Sequence, residues 1–196
     1  MFRLLLFIFL TLFFSINLIF SADLYKGFEA FKNKDYLSSF NEFSPLAEEG
    51  DNLAQFFLGY LYKNGLSVEK NLDQAIKWYE LSAKKGNPYA QNNLALMYEK
   101  GIGFSINLEK AFKLYKLSAE QGYSLAQYNL GVMFLNGKGV DKNLIDGFMW
   151  FSLSSLNGDD DAKKWKKIIE NEMTKEQIDI SKSKIKECIK KNFKKC

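Results

Sequence analysis

The amino-acid sequence predicts an all-α protein, a right-handed α-solenoid of stacked antiparallel helix hairpins that ends in a C-terminal capping helix. The first observation is a tandem repeat of 36 residues, in which the pair alanine–glutamine recurs at 54–55, 90–91 and 126–127. The second is that leucine, tyrosine and tryptophan recur inside each repeat at helical spacing. The third is that asparagine and glycine recur where helices should begin and end.

Residues 1–22 form an apolar leader that is separate from the repeats. Arg3 precedes the run LLLFIFLTLFF, and Ser21 and Ala22 precede the first acidic residue, Asp23. This order is typical of a secretory signal peptide. The run is close to the lower limit of roughly 17–25 residues for a membrane-spanning helix. We therefore expect cleavage and export, and an uncleaved membrane anchor is the alternative.

Residues 23–50 predict a shorter N-terminal hairpin with its turn at 33–35. Three full repeats follow at 51–86, 87–122 and 123–158. Asp51 and Asn87 stand where a first helix needs a capping oxygen, and Asn71, Asn107 and Asn143 stand where a second helix needs one. The predicted helices lie near 52–63, 71–85, 88–99, 107–121, 124–135 and 143–157.

Residues 159–196 predict a lysine-rich C-terminal cap. The 36-residue phase continues only through Ala162 and, loosely, Trp165. A closing helix is expected from about 175 to 192, because Ile178, Ile185 and Cys188 fall on one of its faces and lysines on the other. Atypical terminal units of this kind shield the ends of a repeat stack.

The repeats resemble the Sel-one-like repeat family, a subclass of tetratricopeptide-like repeats. The resemblance is carried by AQFFLGYLYKNGLSVEKNLDQAIKWYELSAKKG at 54–86, AQNNLALMYEKGIGFSINLEKAFKLYKLSAEQG at 90–122 and AQYNLGVMFLNGKGVDKNLIDGFMWFSLSSLNG at 126–158. Residues 23–50 are more similar to a plain tetratricopeptide hairpin, and the tail is similar to the cap of many bacterial members. The resemblance implies an adaptor or scaffold that holds a peptide or protein on its concave surface, and it implies the periplasm as destination.

Cysteine usage separates this chain from one subgroup of that family. Some secreted members of the family have a cysteine pair in every repeat, and some of these are linked to β-lactam binding. Residues 23–187 of this chain contain no cysteine, so the chain does not share that feature. Cys188 and Cys196 are the only cysteines, and the sequence leaves open an internal disulfide, a bond between chains, or two free thiols. Two cysteines without any histidine make no metal-ligand set.

The residue types argue against an enzyme. Histidine, the commonest general base, is absent from the chain. The glycine pairs 101/103 and 137/139 recur at the repeat period, which marks them as loops between helices and not as a phosphate-binding loop. We expect no catalytic residue, no cofactor and no metal.

Candidate partner-binding residues follow from analogy with tetratricopeptide hairpins, in which positions after the Ala54 column face the concave surface. These positions hold aromatic and carboxamide side chains, which suit an extended peptide. The predicted contact residues are Phe56, Tyr60, Asn92, Asn93, Leu96, Tyr128 and Asn129. Phe57 and Val132 occupy equivalent positions, but packing between helices is the favoured interpretation for both. For Asn92, Asn93, Tyr128 and Asn129, binding and packing both remain open.

The charge of the chain is concentrated near its C-terminus. The whole chain has a formal net charge of +4, whereas residues 181–196 carry seven lysines against Glu187 alone. A solvated face of the capping helix is the favoured interpretation of this excess, and weak contact with an anionic surface is the alternative. Nucleic acid is not an expected partner of an exported protein. A second functional class also stays open: a structural protein that bridges other components or self-associates through its ends.

Overall fold

The computed structural model describes residues 22–194 and Cys196, and this part of the chain contains ten helices and no strand. The helices are α1 (Leu24–Lys32), α2 (Tyr36–Glu49), α3 (Asn52–Asn64), α4 (Leu72–Lys84), α5 (Pro88–Lys100), α6 (Leu108–Ala119), α7 (Ser124–Asn136), α8 (Leu144–Leu156), α9 (Asp160–Glu170) and α10 (Lys175–Lys190). The all-α prediction is confirmed, with the predicted helix ends within two residues of the observed ones. Residues 1–21 of the predicted leader lie outside the described residues, so the leader is not described. None of the described helices is long and apolar enough to cross a membrane.

The helices begin at the capping residues that the sequence indicated. Asp51 Oδ1 accepts hydrogen bonds from the backbone of Leu53 and Ala54 at the start of α3. Asn71, Asn107 and Asn143 cap α4, α6 and α8 in the same way, each through its side-chain oxygen. The exception is α7, where Tyr123 precedes the helix and gives no side-chain cap.

Glycine ends the first helix of each full repeat. Gly65, Gly101 and Gly137 have φ values of 67°, 69° and 64°, the left-handed conformation that a residue without a Cβ adopts at low cost. Gly139 is required for a second reason, because a Cβ there would lie 2.3 Å from the carbonyl oxygen of Leu108 in the preceding repeat.

Within each hairpin, a small residue of the first helix faces a large aromatic of the second. Tyr79, Tyr115 and Phe151 occupy one repeat position and are fully buried. A Cβ added to Gly59 would lie 2.8 Å from Tyr79, and one added to Gly131 would lie 3.1 Å from Phe151. The glycines therefore let the two backbones of a hairpin approach closely.

A repeated set of buried polar side chains ties each unit to its neighbours. Ser82, Ser118 and Ser154 each donate a hydrogen bond to a backbone carbonyl at the start of the first helix in their own hairpin. The amide nitrogens of the glutamines donate to the last turn of the second helix in the preceding unit, pairing Gln55 with Ala47, Gln91 with Ala83 and Gln127 with Ala119. Both sets of bonds cross between helices, so they fix the register of the stack.

The C-terminal cap has a different geometry from the hairpins. Helix α9 stacks on α8 as the first helix of a fourth unit would, whereas α10 turns back and packs along α8. Ser181 Oγ donates to the carbonyl of Ile145 at 3.0 Å, and Lys184 pairs with Asp146. The cap therefore covers the outer side of the third repeat, in addition to the end of the stack that the sequence predicted.

A disulfide fixes the end of the chain to the capping helix. Cys188 and Cys196 are joined, with 5.1 Å between their Cα atoms, which resolves the three alternatives that the sequence left open. Inside the closed loop, Phe193 adopts a φ of 64° and its ring packs against Gly122 between α6 and α7. The tail thus reaches from the cap to the second repeat.

Candidate partner-binding face

One row of side chains runs along the first helices of all the units, and we call it the first-helix face. Its members occupy the repeat positions of Phe56, Phe57 and Tyr60 on helices α1, α3, α5, α7 and α9. They are Leu24, Tyr25 and Phe28; Phe56, Phe57 and Tyr60; Asn92, Asn93 and Leu96; Tyr128, Asn129 and Val132; and Lys164, Trp165 and Ile168. Every residue that the sequence nominated for binding therefore belongs to a single continuous face.

Aromatic rings dominate the N-terminal half of this face. Phe57 stacks on Phe43 with ring centroids 4.6 Å apart and is only 8% exposed, so its role is packing. Phe56 and Tyr60 are half-buried: Phe56 lies 5.5 Å from Tyr89, and Tyr60 contacts the edge of Phe31. These two rings stay accessible on one side while their other side supports the core.

An apolar depression lies at the N-terminal end of the face, between α1 and α3. Its lining consists of Asp23, Leu24, Tyr25, Phe28, Leu53 and Phe57. Tyr25 is 71% exposed and Phe28 is 45% exposed, so the walls are open to solvent. An apolar side chain of a partner could enter here.

Carboxamides occupy the middle of the face. Asn129 Nδ2 donates to Asn92 Oδ1 across 3.0 Å, and Asn92 is only 3% exposed. This bond joins the second and third repeats, so the structure places Asn92 mainly inside the stack. Asn93 is half-exposed and hydrogen-bonds to no other described side chain, which leaves its amide available. Leu96 packs its inner side against the core cluster of repeats two and three.

The C-terminal half of the face is mixed. The Tyr128 ring meets the edge of Phe151 at 5.5 Å, and Phe151 in turn stacks on Trp165 at 6.2 Å. Trp165 is 37% exposed and Ile168 is 48% exposed. Val132 packs against the neighbouring apolar cluster, as expected from the sequence.

Sequence reasoning missed the contributions of the two terminal units. Trp165 and Ile168 stand 36 residues after Asn129 and Val132, so an extension of the same columns would have found them. Tyr25 and Phe28 stand 32 residues before Phe57 and Tyr60, because the N-terminal hairpin is shorter by four residues. The four-residue offset hid the second pair.

The titratable groups near the core have structural roles. Tyr115 donates its hydroxyl to Glu99 Oε2 at 2.9 Å, and burial followed by the Glu99 charge raises the pKa of the Tyr115 phenol. Tyr115 is fully buried, so its hydroxyl group joins Glu99 of α5 to the core of α6. Among the described residues, no cluster of three or more histidine, cysteine or acidic side chains could hold a metal ion.

Comparison with known proteins finds three consecutive matches to one repeat family. The family model described as Sel1 repeat matches residues 52–87, 88–123 and 124–159. A putative sel1-like repeat-containing protein of Acanthamoeba polyphaga mimivirus is 49% identical over 37 residues, which are 19% of this chain and 6% of that protein.

Two solved structures share the architecture. A Sel1 repeat protein from Oxalobacter formigenes superposes with a TM-score of 0.67 at 37% identity, covering 71% of this chain and 58% of that one. A protective antigen present in uropathogenic Escherichia coli strains, described as displaying an SLR fold, gives a TM-score of 0.56 at 26% identity, covering 80% of this chain and 42% of that one. The chain thus spans less than two thirds of each of these relatives. Because the three matched repeats make up more than half of its residues, the chain belongs to the Sel1 repeat family.

Proposed function

We propose that this protein is a non-enzymatic adaptor of the cell envelope, whose first-helix face is the concave surface of the solenoid and binds an extended segment of a partner protein. Sel1 repeat proteins are generally protein-interaction modules. The observation that carries the proposal is that half-exposed aromatic and amide side chains continue along the first helices of every unit. These side chains keep part of their surface open to solvent, so they are available to a partner.

The chemistry of the face suits a peptide backbone with apolar side chains. Phe56, Tyr60 and Tyr128 offer ring surface, and Asn93 offers one amide donor pair and one acceptor. The depression beside Phe28 accepts an apolar anchor, so the peptide is held by a side chain at one end and by backbone hydrogen bonds in the middle. A few such residues dominate binding energy in most interfaces.

Site-specific photo-crosslinking in cells tests the proposal. A crosslinking residue at Leu96 or Tyr128 should capture a defined partner, and the same residue at Lys77 or Lys110, on the outer sides of α4 and α6, should not. With the purified partner, replacement of Asn93 and Tyr128 by alanine should each weaken binding by on the order of 2 kcal/mol. Equal capture from both sides, or unchanged affinity, contradicts the concave-face assignment.

We further propose that the protein is exported and that its leader is removed, leaving a periplasmic chain that begins near Asp23. The support is the order of charged, apolar and small residues in 1–22. Intact-mass measurement on fractionated cells decides between this and an inner-membrane anchor: a membrane-bound product that retains Met1 favours the anchor. We propose no enzymatic activity and no cofactor for this protein. We do propose that its lysine-rich tail contacts an anionic surface.

A structural or assembly role is the second candidate, and exposed apolar residues at the N-terminal end favour it. Tyr25 is 71% exposed and Leu37 is 58% exposed, on the two helices of the first hairpin. If this end mediates self-association, sedimentation should show oligomers that Tyr25→Asp with Leu37→Asp dissociates. A monomer at all concentrations contradicts self-association through this end.

A further inference from the structure

Three lysines form a row on the outward side of α10. Lys182, Lys186 and Lys190 are four residues apart, so they recur at about 6 Å intervals along one side of the helix. All three are exposed, and none of them pairs with an acidic side chain of the described residues. They therefore present unpaired positive charge to solvent.

The opposite side of α10 is fixed to the protein, which sets the direction of this row. Ser181 bonds to the backbone of α8, Lys184 pairs with Asp146, and Cys188 is 2% exposed. A helix held by these residues along its inner side cannot turn its lysine row inward. We call this row of three lysines the basic face.

Acidic residues on α10 are few. The helix contains Glu176, Asp179 and Glu187, and Glu187 pairs with Lys191. Asp179 lies one turn before Lys182 and is the nearest unpaired carboxylate on the same side, so the row of three lysines keeps a net positive charge.

An exposed apolar side chain borders the lysines. Ile189 is 47% exposed, next in sequence to Lys190 and three residues after Lys186. Flexible lysines with an interspersed aliphatic side chain are typical of protein surfaces that lie on a membrane, where the charges meet headgroups and the apolar group enters the interface.

We propose that the basic face binds the surface of a lipid bilayer that contains anionic headgroups. The face contains only lysine as its cation, whereas specific recognition of a protein carboxylate favours the planar fork of arginine. It is also convex and regular, which suits an extended surface better than a single small ligand. The inference deepens the proposed anionic contact, and it leaves the first-helix face free for a partner.

Vesicle co-sedimentation tests the proposal on the chain that begins at Asp23, so that the apolar leader cannot insert into lipid by itself. Vesicles of phosphatidylcholine mixed with phosphatidylglycerol should bind the protein, and vesicles of phosphatidylcholine alone should not. Each lysine near an anionic surface contributes roughly fivefold to binding. The triple variant Lys182→Gln, Lys186→Gln, Lys190→Gln should therefore bind roughly a hundredfold more weakly.

The matched control is Lys26→Gln, Lys70→Gln, Lys142→Gln, which removes the same charge from exposed sites on other units and should retain most of the binding. Helicity and melting of both variants are compared with those of the parent chain. Binding of the parent should also fall as salt is raised. Equal binding to neutral vesicles, equal loss in both variants, or binding to soluble polyglutamate without binding to vesicles overturns the proposal. None of these results bears on crosslinking at Leu96, so the adaptor function is tested separately.

Discussion

Tyr79, Tyr115 and Phe151 occupy the same position in three successive repeats, yet they differ in whether the ring carries a hydroxyl group and whether that group has a partner. Tyr115 donates to Glu99, Phe151 has no hydroxyl, and the Tyr79 hydroxyl is buried without a hydrogen-bond partner among the described residues. Burial raises the pKa of the Tyr79 phenol, so the group stays protonated and its donor remains unused. A buried polar group without a partner lowers stability.

This contrast predicts opposite effects of the same substitution. Tyr79→Phe should raise the free energy of unfolding by about 1 kcal/mol, because it removes a desolvated hydroxyl. Tyr115→Phe should lower it by about 1–2 kcal/mol, because it removes the hydrogen bond to a carboxylate. Urea denaturation of the two variants measures both effects. If Tyr79→Phe destabilises as much as Tyr115→Phe, the Tyr79 hydroxyl has a partner in solution.

For individual residues, the repeat positions predicted the helix caps, the turns and the contacts between small and large side chains. They did not predict whether Asn92 and Asn129 are buried in the stack or open to a partner. The bond between Asn92 and Asn129 joins residues 37 apart, one more than the repeat length. A column compares residues at equal positions and cannot display a contact between unequal ones. Packing and binding for these asparagines were therefore indistinguishable in the sequence.

Among the elements, α8 differs from the corresponding helices α4 and α6 on its outer side. Where those helices carry Lys77 and Lys113, α8 carries Met149, which is 2% exposed beneath α10. Leu153 is likewise fully buried, although Leu117 at the same position of α6 is exposed. A helix that is apolar on all sides is buried on all sides, so this change of residue type could have placed the cap from the sequence.

Met149→Lys, which restores the residue found in the other two repeats, should release the cap. A lysine there would bring a third ammonium group to a site already lined by Lys184 and Lys191, with Glu187 as its one carboxylate, at a cost of roughly 3 kcal/mol or more. We expect a lower melting temperature and faster proteolysis within α10. The control Lys113→Met changes an exposed site and should stay within about 0.5 kcal/mol of the parent. Protection of α10 in the Met149→Lys variant would contradict the docking described here.

At the scale of the whole molecule, the apolar core is a series of clusters shared between neighbouring units. Trp78 belongs to the cluster of the N-terminal hairpin and first repeat, and Trp150 belongs to the cluster of the second and third repeats and the cap. Contacts of this kind make stability a sum of local terms and nearest-neighbour terms. Damage to one cluster should therefore spread only to its neighbours.

The two tryptophans allow a direct test. Trp78→Ala and Trp150→Ala should each cost roughly 3–5 kcal/mol as cavity-forming changes. In hydrogen exchange, Trp78→Ala should lower the protection of α1–α4 most, and Trp150→Ala should lower that of α5–α8 and α10 most. A uniform loss of protection in both variants would show that the solenoid unfolds as one unit.

The number of units and their order were predictable at this scale because the period is free of gaps from 54 to 158. The ends of the first-helix face were not predictable in this way, because Tyr25 and Trp165 lie in units whose second helices or turns depart from the 36-residue period. Terminal units face solvent on one side, so they tolerate changes in length that an internal unit cannot.

The repeated hydrogen bonds of the buried glutamine and serine side chains determine how such a chain can change length. Each of these side chains bonds to a backbone carbonyl, a group that every residue supplies regardless of its type. If residues 87–122 were excised, Gln127 would donate to the carbonyl of Ala83 in place of that of Ala119. The number of residues between donor and acceptor would stay the same. A gene encoding this protein can therefore lose or duplicate a whole 36-residue block in frame, and the resulting chain still forms these hydrogen bonds in each remaining repeat.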